Sequence, residues 1–165
     1  MDLPDKFQEN IINSFNENGK NWLTLLPEII VNISKKWQLT NITPMVNLSY
    51  NYVVSAYSNL LNKEVVLKLG WDKESFESEL KALKFYKGIG CVALLEYDVS
   101  NKAILLESLK PATNLKNFFP NNEDESIKIA VDVMQKLHNT PITANHEFQP
   151  IGKWFAEFAT SSHFT

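Results

Sequence analysis

Two charged residues with a spacing suited to phosphate chemistry stand near the middle of the chain. Lys68 lies near the end of the apolar run Val65-Val66-Leu67-Lys68-Leu69-Gly70, and Glu79 follows eleven residues later in Phe76-Glu77-Ser78-Glu79-Leu80-Lys81-Ala82-Leu83. The first run has the β-branched content of a strand, and the second has the three- and four-residue apolar steps of a helix. A lysine on a strand can grip nucleotide phosphates, and a glutamate on a helix packed beside it can hold the ammonium in position. Glu77 competes for the same lysine but lies about 200° around the helix from Glu79. Glu79 has Leu80 and Leu83 close behind it, near the buried edge. The plainer alternative is a solvated strand lysine and a solvated helix glutamate, since both residue types are at home on surfaces.

Two further segments bear on the same chemistry. Glu107-Ser108-Leu109-Lys110-Pro111 closes the last apolar strand pattern, where backbone C=O and N–H groups could read the edge of an adenine ring. Backbone recognition leaves no side-chain signature, so the end of an ordinary edge strand reads equally well. Ser49-Tyr50-Asn51-Tyr52 falls between the first two strand patterns, where a loop could cover phosphates. Protein kinases use glycines there so that backbone N–H groups can approach. This loop has none, and a plain hairpin turn is the alternative. His138, His146 and His163 lack metal-ligand spacing and read as structural or surface residues, with His138 favourably near a helix C-terminus. Cys91 has no neighbour that would activate its thiol.

The elements that must position these residues are legible as changes of period. Phe7, Ile11, Ile12 and Phe15 share one helical face, with Gly19 as the expected stop. A second helix carries Trp22, Leu25, Leu26, Ile29, Ile30, Ile33 and Trp37, its aromatic and aliphatic stripe reading as core. Pro27 inside it should kink the helix or mark its first turn. Strands are expected over 42–48, 52–57 and 64–69, then a helix over about 74–86 ended by Gly88, then a hairpin of 92–97 and 103–107. Asn121 to Glu125 starts another helix, with Ile127, Ala130, Val131, Met134 and Leu137 as its buried face. Trp154, Phe155 and Phe158 suggest a last helical turn. The fold class expected is α+β: a five-stranded antiparallel sheet with one packed helix, preceded by two helices. The expected division is a helical extension at 1–40, a nucleotide-binding lobe at 41–110, and the start of a second helical lobe at 111–165.

Composition narrows the function classes. A hydrophobic content of 44% over 165 residues supplies a real core. The net charge of −3 offers no basic footprint for nucleic acid. The apolar runs fall far short of the ~20 residues that span a bilayer. Met1-Asp2-Leu3-Pro4-Asp5-Lys6 is acidic and lacks the apolar core of a signal peptide. The single cysteine cannot form an internal disulfide and suits a reducing compartment. A cytoplasmic protein with no membrane and no nucleic-acid partner is expected.

Taken in order, several of these segments carry a resemblance. Trp22-Leu23-Thr24-Leu25-Leu26-Pro27 precedes Leu48-Ser49-Tyr50-Asn51-Tyr52-Val53. Then come Val66-Leu67-Lys68-Leu69-Gly70, Glu79-Leu80-Lys81-Ala82-Leu83 with Gly88, Leu105-Leu106-Glu107 with Pro111, and Leu137-His138 with Pro141. The ordered set resembles the N-terminal part of the aminoglycoside/hydroxyurea antibiotic-resistance kinases, the streptomycin-kinase-like branch of the aminoglycoside phosphotransferases. The resemblance implies a protein-kinase-like fold and transfer of phosphate from ATP, with Mg²⁺, to an alcohol on a small hydroxylated substrate. It implies that Lys68 contacts the nucleotide phosphates and that Glu79 orients Lys68. Ser49 and Asn51 would lie over the phosphates, and Glu107 to Leu109 would hold adenine. The family's second lobe also carries a His-Gly-Asp catalytic loop and a metal-binding Asp, and no histidine here is followed by Gly-Asp. The expectation is therefore a nucleotide-binding part, inactive by itself. Two rivals remain: a non-enzymatic remnant that associates or dimerises through an exposed apolar face, and an unrelated α+β binding protein.

Overall fold

The computed structural model describes residues 3–46, 48–142, 148, 150–152 and 155. Helix α1 (Asp5–Lys36) opens the chain. It is followed by strands β1 (Leu39–Pro44), β2 (Asn51–Ser58) and β3 (Lys63–Gly70), helix α2 (Lys73–Tyr86), strands β4 (Leu94–Asp98) and β5 (Ala103–Glu107), and helices α3 (Leu115–Phe118) and α4 (Glu123–His138). The five strands form one sheet in the order β1-β2-β3-β5-β4, with every neighbouring pair antiparallel. This is the α+β architecture expected, with α2 on the sheet.

Strand alternation gives the sheet two different faces. Tyr52, Val54 and Ala56 of β2, Val65, Leu67 and Leu69 of β3, and Ala103 and Leu105 of β5 point to one side. There they pack with Phe7, Ile11, Trp22, Leu26, Ile30 and Ile33 of α1. Leu67 is fully buried in this cluster, and burying a side chain of that size stabilises the fold by ~1.5–3 kcal/mol. On the other side Val66, Ile104, Leu106 and Leu94 meet Phe76, Leu80 and Leu83 of α2. Lys68 belongs to this second face, because it pairs across from Val53 and Ile104.

Three expectations need correction. The first helix does not stop at Gly19. The break falls at Asn16, whose φ of 50° and ψ of −132° interrupt the helical run. Gly19 is instead a packing residue, since a Cβ there would stand 2.6 Å from the Ile11 carbonyl oxygen. Pro27 neither kinks the backbone out of helical geometry nor begins a helix. It lies inside α1, where Asn16 is the non-helical position. The first strand runs over Leu39–Pro44 rather than 42–48, and Asn51 belongs to β2 rather than to a turn. β1 is an edge strand with a bulge between Thr40 and Thr43 and only Leu39 buried, so its apolar alternation is faint.

α4 forms where its cap predicts: Asn122 accepts from the Glu125 N–H at 3.2 Å. Its apolar stripe is not buried as expected, with Ile127, Val131 and Met134 exposed. Leu137 is half-buried, its side chain 3.1 Å from where a Cβ on Gly90 would stand. His146, His163, Trp154 and Phe158 lie outside the described residues, and Phe155 is exposed.

Candidate functional site

Lys68 reaches the site because β3 runs in the middle of the sheet, between β2 and β5, and is fixed on both edges. Glu79 reaches it because α2 is anchored at its start and along its length. Asp72 caps the helix by accepting from the Ser75 N–H at 2.7 Å, and Phe76, Leu80 and Leu83 seat it on the sheet. Backbone and side-chain hydrogen bonding from Ser75 holds the Asp72 carboxyl below its ordinary value of 3.8. At the far end Lys87 takes the left-handed conformation and its N–H closes on the Leu83 carbonyl.

The two charges meet directly. Lys68 Nζ donates to Glu79 Oε1 at 2.7 Å, with the side chains 24% and 35% exposed. The pair is half-sheltered rather than sealed, so the ammonium is held in place yet accessible to a ligand. Glu77, the competing carboxylate, pairs with Lys73 on α2 instead, at 3.7 Å.

The remaining sequence-predicted residues divide into two groups. Asn51 opens β2 opposite Gly70, on the same sheet face as Lys68. Its Oδ1 would lie 3.3 Å from a Cβ on Gly70, so the glycine leaves room for the amide. Ser49 is exposed in the connection between β1 and β2. Glu107 and Leu109 lie at the opposite edge of the site. The Glu107 carboxylate accepts from the Ala93 N–H at 2.7 Å, and the Glu107 N–H donates to the Ala93 carbonyl at 3.1 Å. The Glu107 carboxylate and N–H are thus already engaged within the chain. Leu109 is exposed.

Sequence reasoning missed two parts of the site. One is the apolar floor beside Lys68: Val53 and Val66 are half-buried on that face, because α2 covers β3, β5 and β4 but leaves β2 open. The other is the support of the loop at 49–51. Tyr50 packs on Phe15 with ring centroids 6.4 Å apart, and Phe15 packs on Trp71 at 5.7 Å. The alternation of β2 and β3 could have revealed the floor. The ring ladder joins residues distant in sequence and has no local signal.

Among the described residues, no group of three His, Cys, Asp or Glu side chains gathers as metal ligands. No helix among them is long and apolar enough to cross a membrane.

A profile of the aminoglycoside/hydroxyurea antibiotic resistance kinases matches residues 54–163. The chain belongs to this family. The match begins within β2 and takes in Lys68, Glu79 and the strand end at Glu107. The chain is also similar to a streptomycin 6-kinase of Streptomyces griseus, 25% identical over 139 residues, which cover 84% of this chain and 44% of that protein. A streptomycin 6-kinase of Streptomyces glaucescens is 22% identical over 141 residues, covering 86% and 45%. The chain spans a little under half the length of these curated relatives. No solved structure matches.

Proposed function

We propose that this chain is the nucleotide-binding part of an ATP-dependent kinase that phosphorylates an alcohol on a small, aminoglycoside-like molecule in the cytoplasm. The observation that carries the reading is the Lys68–Glu79 pair at 2.7 Å on the open half of the sheet. A cation fixed by a neighbouring carboxylate and left partly accessible is suited to polyphosphate. In this reading Lys68 holds the phosphates and Glu79 orients Lys68. Ser49 and Asn51 lie over the phosphates, Val53 and Val66 floor the base, and the backbone from Glu107 to Leu109 borders adenine. Residues 41–110 form the nucleotide lobe, 1–40 its helical extension and 111–165 the start of a helical lobe. ATP supplies the transferable phosphoryl group. With no Asp following a His-Gly pair in these 165 residues, binding rather than turnover is the activity to measure on them.

The test is titration of the 165-residue chain with ATP by calorimetry. Binding that weakens about tenfold or more in Lys68→Ala supports the reading, in line with the loss of a charge-assisted contact. ATP binding equal in Lys68→Ala and the unsubstituted chain overturns it.

A second reading has its own observation. Ile127, Val131 and Met134 form an exposed apolar stripe along α4, and such stripes favour association. The chain would then act as an interaction or dimerisation module. Light scattering that returns a monomer at all concentrations removes this reading.

A further inference from the structure

A cavity lies on the α1 side of the sheet, away from Lys68. It is bounded by the middle of α1, by Trp71 after β3, and by the turn between β4 and β5; it opens to solvent and has a volume of about 430 Å³. That is within the ordinary size range of small-molecule sites. Asn21, Glu28 and Asn32 stand seven and four residues apart, so they line one stripe of α1 facing this space. All three are solvent-exposed, and none has an intramolecular hydrogen bond or ion pair from its side chain among the described residues. The apolar surface comes from Leu25, Ile29 and Trp71, Trp22 itself being almost wholly buried. Lys102 closes the far wall, its Nζ 6.0 Å from the centre of the Trp71 ring. That wall is tied down, because the Lys102 carbonyl accepts from the Gly70 N–H at 3.0 Å.

We propose that this cavity binds a small neutral polyol, a ring bearing several hydroxyl groups. Each Asn amide offers both a donor and an acceptor, Glu28 accepts, and Lys102 donates. A hydroxyl also donates and accepts, so it can satisfy all of them, whereas an anion would face Glu28 and a cation would face Lys102. The two charges cancel, which favours a neutral ligand. The C–H face of a saturated ring can pack on indole, which offers a large apolar surface with a polar edge. This site does not depend on the nucleotide reading, since α1 and the Lys68 face lie on opposite sides of the sheet.

The test is saturation-transfer NMR on the 165-residue chain with millimolar myo-inositol and methyl glucoside. Transfer to the ring protons is expected with at least one of them. It should persist when ATP is added and weaken about tenfold in Asn21→Ala/Glu28→Ala. Alanine at exposed helix positions raises helix propensity, so this variant should fold. Asn32→Leu, which removes an amide from the same stripe, should weaken transfer as well. Absence of transfer to both polyols, displacement by ATP, or undiminished transfer in both variants overturns the proposal.

Discussion

The two faces of the sheet are built from the same strands by opposite rules. On the α1 side, Tyr52, Val54, Val65, Leu67 and Leu69 are buried under a helix of 32 residues, and the cluster is continuous from Phe7 to Leu105. On the α2 side, a helix of 14 residues covers β3, β5 and β4 and leaves β2 uncovered, so Val53, Val66 and the Lys68–Glu79 pair stay partly accessible. The difference shows where each kind of residue can be placed. A charged pair of this exposure adds little net stability, about 0–1 kcal/mol, and a site that must admit a ligand cannot be packed shut. The closed face holds the strands in register, and that register sets where Lys68 points.

The contrast predicts a graded series of effects. Leu67→Ala on the closed face should destabilise the chain by ~2–5 kcal/mol, because it removes a fully buried side chain and leaves a cavity. Urea unfolding should show the lowered midpoint with little change in slope. Gly19→Ala should cost about 1–3 kcal/mol by overpacking, since the added methyl meets the Ile11 carbonyl. An unchanged melting temperature would show that α1 can shift locally without disturbing the core.

Asp72→Ala, which uncaps the helix carrying Glu79, should cost about 0.5–2 kcal/mol. Its exposed-face counterparts, Lys68→Met and Glu79→Gln, should change stability by less than about 1 kcal/mol while weakening ATP binding. A Lys68→Met chain as unstable as Leu67→Ala would erase the distinction between the faces.

A pH measurement sharpens the same comparison at the edge of the closed face. Burial raises the pKa of the Asp98 carboxyl, but hydrogen bonds from Lys36 and Asn101 outweigh it and leave the group below 3.8. The Lys36 contact joins the C-terminal end of α1 to the end of β4 at 2.6 Å. A depressed folded value means the contribution is fully present above the ordinary carboxylate range and is lost as pH falls through the folded value. Asp98→Asn should therefore lose less stability than the unsubstituted chain between pH 5 and the folded value, as read by thermal melts.

Much of this was legible because it is local. The periods of α2, β3 and β5 are strong, so Lys68 and Glu79 could be placed on a strand and a helix from spacing alone. The cap Asn122 lies within the helix start expected at Asn121 to Glu125. β1 starts three and ends four residues earlier than its pattern suggests, because an edge strand with one buried side chain shows almost no alternation. Gly19 looked like a stop because glycine is a common helix terminator, while its actual constraint is a carbonyl eight residues earlier in the chain.

By itself the sequence determined the order and type of most elements, the chemical character of Lys68 and Glu79, and the net negative charge. These follow from side-chain chemistry and short-range periodicity. Only the tertiary structure decided that Glu79 rather than Glu77 meets Lys68, that Asn51 shares their face, and that Val53 and Val66 floor the space beside them. It also decided that the exposed side chains of Asn21, Glu28 and Asn32 border one open cavity. Each of these depends on strand register and on which helix covers which face, and those are set by contacts between residues far apart in the chain.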